Sequence, residues 1–544
     1  MDWILRRPRV FLVALVLLAA LPGLLSMPPL DRDESRFAQA SHQMLESGDL
    51  IAIKFQHEPR NKKPAGIHWL QSAAVWVTGQ SDAHEIWAYR LPSLAGAILA
   101  VLVTFSIGQG LFGRRQGLLA AALLGGCIVV AVEAVNAKTD AMLLFGVVLA
   151  QLGLARAWIA RDESAPPGIL TCLCFWGGLG LGILIKGPLA PMVLGLTLLI
   201  LCLSTRRWRW LGALRPLYGL PLMVLIAAPW YIAITLQDQS FLMRAANEDL
   251  IPKLLQGVES HGQPPGFYLG VQLVALWPAA IFTIPALIAA WQARRKVPGL
   301  AFVLAWLIPS WLVFELTPTK LPHYTLPTYP ALTLMVAWAV FAGSDWLTGR
   351  TAKAFAVLTI LGGTAIAVGI VWLPLAFEAE AAVGPGVVAA LLVLAATYVS
   401  GALVWRGRPL PALAWGTPMV ALVMAWGMSL YVPKLSFLWI SPRLADAYAE
   451  YKAPDAPPLA SVGYHEPSLV FLTDTDTALL SAGEAARYLA EKPKALVAVT
   501  EREKEAFLKD SAALGVTPLV KTELSGINYS KGRRDIITLY GRSP

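Results

Sequence analysis

An alternation constrains this chain more than any single motif. Apolar stretches of spanning length recur near 10–29, 87–112, 117–135, 141–160, 168–185, 188–204, 212–236, 266–292, 299–316, 325–342, 353–375, 384–405 and 411–432. A bilayer core takes about 17 to 25 apolar residues of helix per crossing, so each stretch reads as a candidate span, about 13 in all. Every second connector is basic: RRPR (6–9), GRR (113–115), ARD (160–162), TRRWRW (205–210), ARRK (293–296), TGRTAK (348–353) and RGR (406–408). Basic loops collect in the cytoplasm, which places these seven there together with the N-terminus. The other connectors, 30–86, 136–140, 186–188, 237–265, 317–324 and 378–384, with everything after about 433, then face the periplasmic side of an inner membrane.

Composition agrees: 56% of the 544 residues are hydrophobic and 15% charged. The net charge of +9 sits largely in the basic loops and is explained by topology, so a lipid bilayer and no nucleic acid is the expected partner. Cys127, Cys172, Cys174 and Cys202 all lie in apolar stretches, which indicates neither a disulfide framework nor a thiolate metal site. The first apolar run, behind RRPR, is too long for a signal peptide and lacks a small-residue cleavage site, so it reads as an uncleaved span.

Connector 30–86 is long enough for structure of its own. RFAQASHQMLESG spaces Phe37, Ala40, Met44 and Leu45 as a helix does, and AGIHWLQSAAVWVTG repeats the pattern with Trp69, Leu70, Ala73 and Val77. Both predict amphipathic helices lying on the membrane surface. After Tyr431 the composition shifts: PLASVGY, ALVAVT and DIITLYGR read as strands, SAGEAARYLAEK and EREKEAFLKDSAALG as helices. The expected fold is an α-helical polytopic membrane protein, residues 1–433, followed by a small periplasmic α/β domain, 434–544.

Polar residues on the periplasmic side have no topological explanation and are the candidates for chemistry. Asp33, Glu34 and Arg36 follow the first span: solvated flanks, or carboxylates beside a guanidinium suited to general-base work or metal chelation near a phosphate. Lys63, before Pro64, opens the second surface helix, where a lysine either snorkels to headgroups or binds a phosphate. Asp140 starts the fourth span, where a helix dipole also favours an acid, and Lys186 ends the fifth. His261 precedes the eighth span, and Lys320, His323 and Tyr324 the tenth.

In order, D-E-x-R-F after span one, K-P at the second surface helix, K-T-D at span four, K-G-P after span five, S-H-G-Q-P-P-G-F-Y before span eight and K-L-P-H-Y-T-L-P at span ten resemble one family. It is the phospholipid-carrier-dependent glycosyltransferases of GT-C architecture, which include the aminoarabinose transferase that modifies lipid A and, more distantly, protein O-mannosyltransferases. The resemblance covers roughly residues 1–440. It implies a polyprenyl-phosphate-linked sugar donor and an envelope glycolipid acceptor, with inverting displacement. It implies Asp33 as base or acceptor organiser, Glu34 as its neighbour, Arg36 and Lys63 as phosphate partners, and Asp140 and Lys186 in the same cavity. His261 matches a histidine that in the aminoarabinose transferase shares a metal with a glutamate before the Lys-Pro; here that position is Lys62. No cofactor is therefore assigned; a divalent metal on Asp33, Glu34 and His261 stays open. Alternatives are a protein O-mannosyltransferase-like enzyme or, in another class, a transporter of lipid-linked sugar, which would instead place ionisable residues at mid-span in two repeated halves.

Overall fold

The computed structural model describes the chain apart from Met1, Lys62 and residues 82–83, 163–166, 245–246, 248–261, 344–346, 348 and 543–544. Among the described residues, nine helices are long and apolar enough to cross a bilayer: Pro8–Ser26, Ile86–Phe112, Asp140–Asp162, Ile169–Lys186, Pro216–Gln237, Pro298–Leu316, Arg350–Ala376, Glu380–Trp405 and Pro409–Lys434. A tenth is a pair, Arg114–Gly125 and Ile128–Ala134, bent by 61°. The stretches expected near 188–204, 266–292 and 325–342 form the shorter apolar helices Leu189–Thr205, Ala279–Ala293 and Leu326–Ala342. Among the described residues the thirteen-span expectation thus becomes nine helices of spanning length, one bent pair and three short apolar helices.

The local chemistry accounts for the breaks. Gly125-Gly126 interrupts the bent pair, a glycine pair being a common site of sharp kinks. The 266–292 stretch is divided into Phe267–Ala275, Ala279–Phe282 and Thr283–Ala293 around Pro278, which has no N–H to continue the ladder.

The spans that carry Asp140 and Lys186 pack backbone to backbone. A Cβ added at Gly178 would lie 2.5 Å from Ala150 N, and one at Gly153 would lie 2.6 Å from both Phe175 N and Thr171 O. In a membrane, where lipid tails compete equally for apolar surface, such small-residue seams let helices approach closely.

Connector 30–86 folds as two helices, Asp33–Ser47 and Gly66–Val77, joined through a hairpin of β1 (Lys54–Phe55) and β2 (Glu58–Pro59). On the second helix the apolar positions named from the sequence face outward: Trp69 and Leu70 are half-buried, Ala73 and Val77 exposed. Ile67, His68, Gln71, Ser72 and Val75 are buried, whereas Trp76 is 71% and Val77 74% exposed. The inward face is polar because it meets the first helix through hydrogen bonds: Ser41 Oγ lies 2.9 Å from His68 Nδ1 and 2.6 Å from Gln71 Oε1. Burial pushes the His68 imidazole down to about 3, so it stays neutral in this seam. The apolar face, with Trp76, is left for lipid, as in helices that lie in the membrane interface.

The C-terminal domain is a five-stranded mixed sheet in the order β4-β3-β5-β7-β6, with β3 Ala460–Val462, β4 Ala478–Leu480, β5 Val497–Thr500, β6 Pro518–Asn528 and β7 Arg533–Arg542. Strands β4, β3 and β5 run parallel; β7 pairs antiparallel with β5 and β6. Helix Ala482–Glu491 starts with a capping box between Ser481 and Glu484, as its S-x-x-E spelling allows.

This domain rests on the connector. Gln39 Nε2 donates to Thr475 Oγ1 at 2.7 Å, and Gln56 Nε2 donates to the carbonyls of Thr475 and Thr477. Asp31 accepts from the Ser468 hydroxyl. Burial, with Glu466 nearby, pushes the Asp31 carboxyl up to about 6. A raised carboxyl pKa favours the folded state below the unfolded value, about 3.9, and that contribution is lost as pH rises through about 6. Asp31→Asn should therefore gain thermal stability relative to the parent as pH is raised from 4 to 7, and the difference should level off above that. Melting curves across this range check it.

Candidate active site

Three helix ends and two loops converge on one cluster. Asp140 is the first residue of its span and Lys186 the last of the next, so each sits at the helix end whose dipole suits its charge. They form an ion pair, Lys186 Nζ to Asp140 Oδ1 at 2.6 Å, with both side chains nearly buried. Lys138, from the turn before Asp140, lies 3.1 Å from Glu133 Oε1 and 4.0 Å from Asp140 Oδ2. His323 stands between the two acids, its Nδ1 3.6 Å from Glu133 Oε1 and its Nε2 3.9 Å from Asp140 Oδ1. Tyr324 presents its ring 5.6 Å from Lys186 Nζ.

The electrostatics follow from burial against pairing. Burial alone would favour loss of the Lys138 proton, but Glu133 and Asp140 hold its ammonium well above the usual lysine range. Burial pushes His323 down to about 3 and, helped by Lys138 and Lys186, outweighs the pull of Asp140. Neutral His323 thus lies among Lys138, Lys186, Glu133 and Asp140. Asp33 is exposed at the start of its helix, close enough for its charge to act on both Lys138 and His323. Glu133 Oε2 and Asn136 Oδ1 are buried here with no hydrogen-bond partner among the described residues.

Glu34 differs from the role expected of it. Its carboxylate is 1% exposed and takes a bidentate pair from Arg90, Nε to Oε1 at 2.8 Å and Nη2 to Oε2 at 2.9 Å. It also accepts the Leu30 N–H and the Ala137 N–H. Arg90 in turn donates to the carbonyls of Leu24, Met27 and Pro28. Glu34 is therefore a tie between the end of span one, span two and the turn before Asp140, with no lone pair left for a proton or a metal. Among the described residues no three His, Cys, Asp or Glu side chains are grouped to hold a metal. His261 lies outside the described residues, so the Asp33, Glu34 and His261 set loses Glu34 on geometry.

Lys320 is likewise redirected. It is 3% exposed and donates to the carbonyls of Gln263 and Thr317, both at 2.8 Å, pinning the loop before span eight to its own. Lys320→Met should cost roughly 1–3 kcal/mol by stranding those carbonyls, which thermal denaturation would read. Arg36 is half-buried on the first surface helix, and Lys63 half-buried in the bend before the second.

Sequence reasoning passed over Glu133, Lys138 and Arg90. All three carried a signal, an ionisable residue inside or at the edge of an apolar stretch.

Against known folds, this chain matches ArnT from Cupriavidus metallidurans, solved with undecaprenyl phosphate bound, at a TM-score of 0.75 and 19% identity over 97% of both chains. The fold is of the GT-C type. The archaeal oligosaccharyltransferase AglB from Archaeoglobus fulgidus shares it more loosely, with a TM-score of 0.52, 12% identity and coverage of 100% of this chain and 74% of that one. Residues 62–232 match the family profile described as dolichyl-phosphate-mannose-protein mannosyltransferase. An undecaprenyl phosphate-alpha-4-amino-4-deoxy-L-arabinose arabinosyl transferase 2 of Pseudomonas fluorescens is 29% identical over 345 residues, 63% of this chain and 61% of that protein. The similarly named enzyme of Edwardsiella ictaluri is 26% identical over 431 residues, 79% and 72% of the two chains. On this GT-C fold the chain is a multi-pass membrane protein, and the cluster lies at one end of its spans.

Proposed function

We infer that the protein moves a sugar from a polyprenyl-phosphate carrier to an envelope glycolipid such as lipid A, on the periplasmic face, by single inverting displacement. The observation that carries this is the buried group of Lys138, Lys186 and His323 with Asp140 and Glu133, beside exposed Asp33, on the fold of an enzyme solved with undecaprenyl phosphate. The names of the relatives point to an aminopentose as the sugar.

In this reading the donor phosphate takes Lys186 and Lys138 as counter-charges, joined by Arg36 and Lys63 from the connector. Cations fixed where negative charge builds on the leaving phosphate supply the electrostatic stabilisation that usually contributes most. Asp140 and Glu133 hold the two ammoniums in place. Asp33 approaches from the solvent side, where it deprotonates a hydroxyl acceptor or orients one already ionised. The basic loops support a cytoplasmic N-terminus, with the site and residues 434–544 on the periplasmic side.

A protein acceptor is the second reading, favoured by the mannosyltransferase profile over residues 62–232. The test incubates purified protein with undecaprenyl-phosphate-linked aminoarabinose or a mannose counterpart, offering lipid A or a serine-rich protein, with products read by mass spectrometry. Aminoarabinose on lipid A is expected; mannose on protein would select the second reading. Failure to consume any carrier-linked sugar would reject both.

A further inference from the structure

The residues just before Asp33 are held by the C-terminal domain from several directions. The Asp31 N–H donates to Tyr529 Oη at 2.7 Å, and the Asp31 carboxylate accepts from the Ser468 hydroxyl and stands 3.5 Å from Ser441 Oγ. Ser468 and Tyr464 both hydrogen-bond to Ser441, at 2.6 and 2.8 Å, so the grip is cross-braced within the domain. Arg32 adds a hydrogen bond from Nη2 to the carbonyl of Ser530.

Arg32 needs that grip. Its φ of +63° with ψ of −108° lies where side chains with a Cβ are strained, and it is the residue from which the Asp33 helix departs. On the other side the Glu34–Arg90 pair fixes the same turn to the membrane spans. Among the described residues Asp33 is thus the one side chain with no hydrogen bond in a segment held at 31–32 by one domain and at 34 by the other.

We propose that the C-terminal domain is a working part of the active site: through Ser468 and Tyr529 it clamps Asp31 and Arg32 in a strained turn that aims Asp33 at the Lys138–His323 end of the cluster. Asp31, Ser468 and Tyr529 are positioning residues, acting through Asp33. The proposal rests on the functional reading above for what Asp33 does, and on the hydrogen bonds alone for how Asp33 is held. A strained conformation persists only where its surroundings impose it, so without the clamp residue 32 relaxes and the helix start moves with it.

The experiment compares the full-length parent with Ser468→Ala/Tyr529→Phe. In sugar transfer the double variant should lose about 10- to 100-fold in kcat, the cost of misplacing a reacting group, with donor KM within about twofold. Adding Arg32→Gly should restore part of that loss, because glycine takes a positive φ without help. A domain that merely stabilises the fold predicts no such rescue.

A second measurement needs no turnover. A nitroxide on Asp33→Cys, introduced where the four native cysteines are buried, should be immobilised in the parent background and mobile when the clamp is cut. A nitroxide equally immobile in both backgrounds overturns the proposal, as does a double variant with unchanged kcat. If the parent itself transfers no sugar, the functional reading fails, and the nitroxide comparison still decides the clamp.

Discussion

Asp33→Asn should lower sugar transfer by about 100- to 10,000-fold, the usual worth of a positioned acid or base, while leaving the melting temperature within a degree or two of the parent. The two halves of that expectation have separate causes. Asp33 is exposed and is the one acid of the 31–34 segment with no hydrogen bond among the described residues, so its loss strands no partner there. Its charge nonetheless acts on Lys138 and His323, the two groups at the near edge of the cluster. Single-turnover rates with a saturating donor separate chemistry from binding. Full turnover in Asp33→Asn would shift the burden to Asp140 or to an acceptor that arrives already ionised.

Arg90→Met should be the most destabilising single change in the membrane part. It would leave the Glu34 carboxylate, 1% exposed, without its bidentate partner and the carbonyls of Leu24, Met27 and Pro28 without their donor. Removing one member of a buried ion pair costs roughly 3–5 kcal/mol, a large share of the roughly 5–15 kcal/mol that keeps a typical protein folded. Low yield in the membrane fraction and early thermal aggregation are the expected readouts. Glu34→Gln combined with Arg90→Met should recover much of the loss, because the uncompensated buried charge disappears. A double variant no better than the single one would mean that the three carbonyls, and not the carboxylate, dominate.

The sequence disclosed the scaffold more fully than the chemistry. Apolar length marked every described span, since it is a local property. The breaks at Gly125-Gly126 and Pro278 were spelled in the sequence too, but hydropathy averages over them. On the second surface helix, Trp69, Leu70, Ala73 and Val77 marked the apolar face of a helix lying on a membrane surface, and the structure turns that face outward while burying His68, Gln71 and Ser72 against the first helix. Amphipathicity shows that a helix has two faces; it does not say whether the apolar one meets protein or lipid. In the site, Asp140, Lys186, His323 and Tyr324 converge on one cluster. Glu34 and Lys320, read as site residues, are engaged by protein partners, and an ionised side chain that serves the fold is spelled like one that serves a substrate. Only their partners, Arg90 for one and two carbonyls for the other, tell them apart.

The glycine seam between the spans of Asp140 and Lys186 gives the site a fixed gauge. Gly153 lies thirteen residues along the helix from Asp140, about 20 Å at the usual rise, yet a single methyl there would wedge the same two helices that set the ion-pair distance. Parts of the molecule that touch no substrate therefore carry the tolerance of the chemistry, much as a frame far from the blade sets the cut of a saw. Retuning such an enzyme for a different sugar or acceptor has to be done in the connectors, which can change shape freely, because the seam admits almost no variation at all.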